Sequence, residues 1–512
     1  MNKRQRIEEA VLAMIEQNII PPGARVPSIR KMSDIYKVSV APVIEAYRSL
    51  EMRGILESRP KSGFIVVPGS ETQKPLKFPE IPNPKQQLFS GGNDLKLEHY
   101  YSHKCAELDI LYPYGTESPV PALCAADQVL RFLARASRDC QSAGPLMYSG
   151  CDDTLLVNEL AKWMMLGQCI VGTEEILVTT SPHASLLLAL TACTRGRDAV
   201  AIASPGPQDH YLAVGLKHLC PVPIPSSPAQ GLDVEYLRQA IHANPSLKCV
   251  VCSPNWSSPT GALMPQKSRE ALAQLCLAHD ITIIEDDRCS ALGHTGQRPA
   301  PLKNLIPDHV IYLAQIPIPG FALNWVCGGK HHGAIRDGRN TMLLTLPCYL
   351  QRGLGEFMAS GLLRACLKQA RLQCKSAVAA ARRAIAQSFP EGTQSTAPSG
   401  GCDLWVSLPN GCSAEDLFRA ARVHKISFSP GQLYSATGEN LNCFRLNCSI
   451  LANSPKSADG LLKLGQLARE LAAVRSCGPT HIHATAKPQT LFSPRPAGSP
   501  YRPSGYTSLS HS

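Results

Sequence analysis

The run RVPSIRKMSDIYKVSVAPVIEAYRSL, residues 25–50, decides how the chain begins. Ser28 stands as an N-cap before a short helix that carries Arg30 on its first turn. A turn around Lys37-Val38 leads to Ser39, a second N-cap, and the spacing predicts a helix from about Val40 to Arg53. Val43, Ala46, Tyr47 and Leu50 give that helix a buried face, and Gly54 stops it. Upstream, Ile7, Val11, Met14 and Ile15 mark an earlier helix that ends at Pro21-Pro22-Gly23. Downstream, Ile55–Arg59 and Phe64–Val67 read as two strands joined by Pro60-Lys61-Ser62-Gly63.

Helix, helix-turn-helix and hairpin in that order describe a winged helix-turn-helix over residues 1–68, whose second helix-turn-helix helix enters the major groove of double-stranded DNA. The segment holds eleven Lys/Arg against seven Asp/Glu, a net of +4 out of +11 for the chain. That balance suits a phosphate backbone but is too small to carry the reading alone. Gly23, Arg25, Pro27, Ser28, Arg30, Val38, Ser39, Val43, Ala46, Tyr47, Leu50, Gly54, Gly63 and Val66 together resemble the GntR family of bacterial repressors. The resemblance implies DNA contact by Arg25, Ser28 and Arg30, by the helix start at Ser39, Val40, Ala41 and Pro42, and by the wing at Lys61 and Gly63. Arg30 and Ser39 would grip phosphates, and groove-facing side chains would read bases. Pro42 stands where the family has Thr, so the helix survives but a hydroxyl contact is lost. The plain alternative for Arg25 and Arg30 is an ion pair with Asp34 or Glu51.

Residues 69–100, rich in Pro, Lys, Gln and Gly, read as a linker. From 101 to 473 strands and helices alternate, with strands at Ile176–Thr179, Ala199–Ser204, Cys249–Cys252, Ile281–Glu285 and Val310–Leu313. Such alternation implies an α/β domain with a mostly parallel sheet, whose ligands sit at the strand C-terminal ends. Cys249 and Cys252 would point to opposite faces of their strand, which argues against a metal site.

Four blocks make this region similar to the fold type I aminotransferases, and with the first domain the chain resembles the MocR subgroup of GntR regulators. They are SPNWSSPTG (253–261), IIEDDRC (283–289), VIYLAQIPIPGFALNW (310–325), and the pair GGCDLWVSLP (400–409) and CFRLNCS (443–449). The resemblance implies pyridoxal phosphate, a homodimer, and an Asp that keeps the pyridine nitrogen protonated, here Asp286. It also implies a lysine that holds the cofactor, and between Leu313 and Gly320 there is none. Ser258 replaces the family's Asn, Ala322 a phosphate-binding Arg, and Arg288-Cys289 a stretch ending in Tyr. The stacking aromatic falls at Pro207 or Gln208, near Tyr211, and the phosphate turn reads Ser181-Pro182-His183. The nearest lysines are Lys303, ahead of the strand, and Lys330, beyond it. No catalytic residue and no bound cofactor is therefore expected. Arg445 matches the arginine that takes the substrate's α-carboxylate, which leaves two readings: a small carboxylate or amino-acid effector, or a pair with a local acid such as Asp286 or Asp287. A PLP-responsive regulator or an aminotransferase using a displaced lysine stays as the alternative.

Apolar content of 44% without a long uncharged apolar run speaks against a membrane span. No export signal is read at the start, so the twenty cysteines are expected as reduced thiols in the cytoplasm of a bacterium. Residues 474–512, with six prolines and no acid, are expected to be a disordered tail, and His481 and His483 in it are not expected to hold a metal.

Overall fold

The computed structural model describes residues 3–16, 19–52, 55–59, 63–67, 110–116, 126–142, 151–296, 298–318, 321–409, 411–453 and 457–476. The expected linker 69–100, Lys61 in the hairpin turn, and His481 and His483 in the tail lie outside the described residues.

The first unit is built as its sequence periodicity requires. Ile7, Val11 and Ile15 on α1 (Lys3–Glu16) pack with Val43, Ala46, Tyr47 and Leu50 on α3 (Val40–Met52), and Met32 of α2 (Ile29–Tyr36) closes the core. Tyr47 is fully buried; its hydroxyl donates to Pro27 O at 2.6 Å and its ring meets Phe64 edge-on at 5.3 Å. One side chain thus ties the helices to the hairpin. β1 (Leu56–Arg59) and β2 (Gly63–Val66) pair antiparallel. Residues 24–26 run along β2, with Val26 N donating to Phe64 O at 3.0 Å and Val66 N to Ala24 O at 2.9 Å.

The second unit centres on an eight-stranded sheet. After β3 (Tyr112–Pro113), its strands are β4 (Ile176–Thr179), β5 (Ala199–Ser204), β6 (Cys220–Ser227), β7 (Gly231–Leu232), β8 (Leu247–Cys252), β9 (Thr282–Asp286), β10 (Val310–Ile318) and β11 (Phe321–Cys327). They lie in the order β4-β11-β10-β9-β8-β5-β6-β7, parallel from β10 through β6, with β11 and β7 running against their neighbours. Burial on both faces explains the unbroken apolar runs in β4, β5 and β8. Cys249 joins the core on one face of β8 and Cys252 the core on the other.

The segment after Leu313 departs from expectation. The strand expected to end at Leu313 continues to Ile318 and pairs antiparallel with β11, with Ala314 opposite Trp325 and Ile318 opposite Phe321. Ala314, Ile316 and Ile318 are buried, which rewards extension of the strand. Pro317 is tolerated because β9 pairs with β10 only as far as Leu313, so that edge needs no further donor.

A smaller antiparallel sheet of Gln394–Ser395, Asp403–Ser407, Cys443–Asn447 and Ser429–Pro430 packs with the helices Leu362–Ser388, Ala414–Val423 and Ser457–Ser476. The last helix runs through Ser476, so the boundary expected at 474 falls inside it. Among the described residues no helix is long and apolar enough to cross a membrane.

Candidate functional site

The starts of α2 and α3, with the hairpin, present the residues singled out for DNA. Arg25, Ser28, Arg30, Ser39, Val40, Ala41 and Gly63 are exposed, and Pro42 is half-buried. Arg25 bridges to Ile65 and so lies beside the hairpin. Neither Arg25 nor Arg30 forms an ion pair among the described residues, and Glu51 is engaged elsewhere, accepting from Ser58 N at 3.1 Å. Both residues are exposed, with no counter-charge among the described residues. The two caps differ for a physical reason. Ser28 accepts from Lys31 N at 3.2 Å, whereas the equivalent donor for Ser39 would be residue 42, a proline with no N–H. Gly63 holds φ +80, which a side chain would strain.

In the second unit the C-terminal ends of β4, β5, β8 and β9 share one side of the sheet, and a dense charge network occupies it. Asp286, at the end of β9, accepts from His210 Nε2 at 2.8 Å and from Arg288 Nε at 2.7 Å, and an Arg288 terminal nitrogen reaches its second oxygen as well. Arg288 also pairs with Asp209 at 2.7 Å. Burial would raise the Asp286 carboxyl, but the Arg288 guanidinium and the His210 hydrogen bond hold it well below the usual carboxylate range. Burial likewise opposes the charge on Arg288, and Asp209 and Asp286 overcome it.

On the other face of the same strand end, Asp287 accepts from Asn255 Nδ2 at 2.6 Å and from the Tyr312 hydroxyl at 2.5 Å. Glu285 accepts from Leu302 N at 2.8 Å and Lys303 N at 3.0 Å. Burial, and then the neighbouring Asp287, push Glu285 up to about 8.

Ser258 and Arg445 meet on a single acid. Ser258 Oγ donates to Asp403 Oδ2 at 2.8 Å, and Arg445 Nε lies 2.9 Å from that oxygen in an ion pair, while Arg445 Nη2 donates to Thr116 O at 3.0 Å. The acid beside Arg445 is therefore Asp403, not Asp286 or Asp287. Register explains it: Asp403–Ser407 and Cys443–Asn447 are adjacent strands with Trp405 opposite Arg445. The Cys289 thiol is pushed up to about 12 by burial and then by Asp403 and Asp286, so it feels the charge of both networks. Tyr211 is no stacking platform, since it is buried in the core and its hydroxyl donates to Ala203 O at 2.5 Å. His210, Asp209 and Asp403 were missed by the sequence reading; the run Asp209-His210-Tyr211 just past β5 was the available signal.

Residues 3–66 match the family of bacterial regulatory proteins, gntR family, and residues 114–310 match aminotransferase class I and II. The chain joins a GntR-type helix-turn-helix domain to a class I and II aminotransferase domain. An uncharacterized HTH-type transcriptional regulator of Escherichia coli, YjiR, is 27% identical over 88% of this chain and 95% of its own. The pyridoxine biosynthesis regulator PdxR of Corynebacterium glutamicum is 24% identical over 70% of this chain and 73% of its own. Among solved structures, the α-aminoadipate aminotransferase LysN of Thermus thermophilus superposes with a TM-score of 0.66 at 24% identity, over 75% of this chain and 98% of that one. That likeness shows the fold type I architecture.

The aminotransferase family implies pyridoxal phosphate, so the residues that would receive it matter. Both oxygens of Asp286 are already taken by Arg288 and His210. Ser181 Oγ caps the helix Pro182–Cys193 by accepting from Ala184 N at 3.1 Å, and Pro182 lacks an N–H for a phosphate. The hairpin β10–β11 carries no lysine, and the aminotransferase match ends at its first residue. Lys303 and Lys330 lie at the opposite end of the sheet. Lys303 is buried, 3.4 Å from Glu175, and Lys330 binds Asp280 at 2.5 Å.

Proposed function

We propose that the protein is a sequence-specific transcriptional regulator that binds double-stranded DNA through its GntR-type domain, and that its aminotransferase-like domain neither holds pyridoxal phosphate covalently nor catalyses transamination. The observation that carries the second half is Arg288. Its guanidinium sits on Asp286, supplying from within the chain the positive charge that the cofactor's ring nitrogen would bring. The lysine-free β10–β11 hairpin removes the covalent anchor as well. The relatives' names support the regulatory half, as do two exposed arginines that have no counter-charge among the described residues of the first domain.

The aminotransferase-like domain then serves as a homodimerisation module that brings two DNA-reading heads to paired half-sites. The fold family, whose members pair in this way, supports this role. Effector sensing through Arg445 is the weaker part of the reading, since a ligand carboxylate would have to displace Asp403. The test is selection of DNA by the full-length protein from a random duplex pool, followed by affinity measurements with and without pyridoxal phosphate. The expected result is a two-part site bound equally under both conditions. Affinity that requires the cofactor would favour the PLP-responsive alternative.

A further inference from the structure

We propose that a cleft sharing no lining residue with the Asp286 network, lying between the helix Thr154–Leu166, residues 298–300 and the helix Leu362–Ser388, binds a small molecule bearing a diphosphate or longer phosphate chain. The cleft measures about 760 Å3, a size typical of small-ligand sites. Arg298, Arg364 and Arg371 line it together with Gln168 and Gln266, and no Asp or Glu is among its lining residues.

Two of the arginines are built in rather than trailing from the surface. Arg298 stacks on Trp163 at 4.7 Å and donates Nη1 to Trp163 O at 3.0 Å. A Cβ at Gly167 would lie 2.5 Å from its Cζ, so the guanidinium packs directly over the glycine and a larger residue there would displace it. Its Nε is buried with no hydrogen-bond partner. Arg371 is fixed by donating Nε to Ala291 O at 2.7 Å. Burial and then the nearby Arg298 draw the Arg371 guanidinium below its ordinary value, so two like charges crowd each other. Asp287 feels Arg298 from the protein interior, but among the described residues none of the three arginines forms an ion pair.

Three guanidinium groups around one concavity ask for more negative charge than a single carboxylate brings. Their planar forks suit phosphate oxygens. Leu166, Pro299 and Ala300 offer an apolar wall for the rest of the ligand. The contrast with the Asp286 network is direct, because there Arg288 and Arg445 each have a carboxylate and here, among the described residues, no arginine does.

The test is calorimetry on the full-length protein with inorganic pyrophosphate, against sodium chloride of equal ionic strength. Arg364→Gln is the informative variant, because Arg364 is exposed and its side chain forms no ion pair among the described residues. Pyrophosphate is expected to bind the wild type, to lose about tenfold in affinity in Arg364→Gln, and to be unaffected by Arg30→Ala. No binding above the salt control would overturn the proposal, as would affinity preserved in Arg364→Gln. Loss in Arg30→Ala would place the anion on the DNA-reading head. Displacement of pyrophosphate by duplex DNA from a protein carrying Arg30→Ala would assign the cleft to nucleic acid, against the proposal.

Discussion

Arginines are used in opposite ways in the two halves of this molecule. In the GntR-type domain Arg25 and Arg30 are exposed and carry no ion pair among the described residues. In the aminotransferase-like domain Arg288 and Arg445 are set against the chain's own carboxylates, at 2.7 Å from Asp209 and 2.9 Å from Asp403. An unpaired surface guanidinium keeps its charge for an external anion, whereas a buried pair has already spent it. The difference teaches that a fold inherited from a ligand-binding family can keep its shape while its binding groups satisfy one another.

The contrast is broken most forcefully by removing the internal cation. Arg288→Ala leaves Asp209 and Asp286 buried together, and a loss of about 3–5 kcal/mol in the second domain is expected by thermal or denaturant unfolding. A variant as stable as wild type that also takes up pyridoxal phosphate would show that Arg288 merely covered a working site. Glu285 sharpens the same point through pH. Its folded value of about 8 lies above the ordinary 4.5, so the native state holds a proton that the unfolded chain releases between those values. Stability is therefore full below about pH 4.5 and falls as pH rises toward 8, by at most about 1.4 kcal/mol per pH unit. Glu285→Gln, which cannot ionise and keeps an acceptor for one of the two donors Leu302 N and Lys303 N, should flatten that slope. An unchanged slope would mean that Glu285 is charged when folded.

On the other side of the comparison, Arg30→Ala should weaken DNA binding about tenfold and reduce the salt dependence by about one counterion. Unchanged affinity and slope would refute its phosphate role. The smallest effect expected is from Pro42→Thr, which restores an N–H for Ser39 to accept from. It should stabilise the first domain by about 0.5–1 kcal/mol and narrow the set of DNA sequences bound. Looser selectivity after that change would show that the proline helps reading.

The parts legible in the sequence are those set by neighbours along the chain. Ser28 as a cap, the helical spacing of Val43, Ala46, Tyr47 and Leu50, and the β-branched runs Ile176–Thr179 and Ala199–Ser204 were met by the structure at or within a residue of where they were expected. The continuation of β10 was not legible, because Pro317 and Gly320 carry turn signals that burial of Ile316 and Ile318 overrides. The partner of Arg445 was not legible either, because it depends on which strands lie side by side. Arg288 read as the loss of a family residue; only the fold shows that its guanidinium pairs with Asp286 and Asp209.

The most direct test of the account is borohydride reduction of the full-length protein after incubation with pyridoxal phosphate, followed by peptide mapping. The account predicts no cofactor-bearing lysine and a protein that still binds its DNA. A reduced adduct mapped to one site, whether Lys303, Lys330 or another lysine, would contradict it.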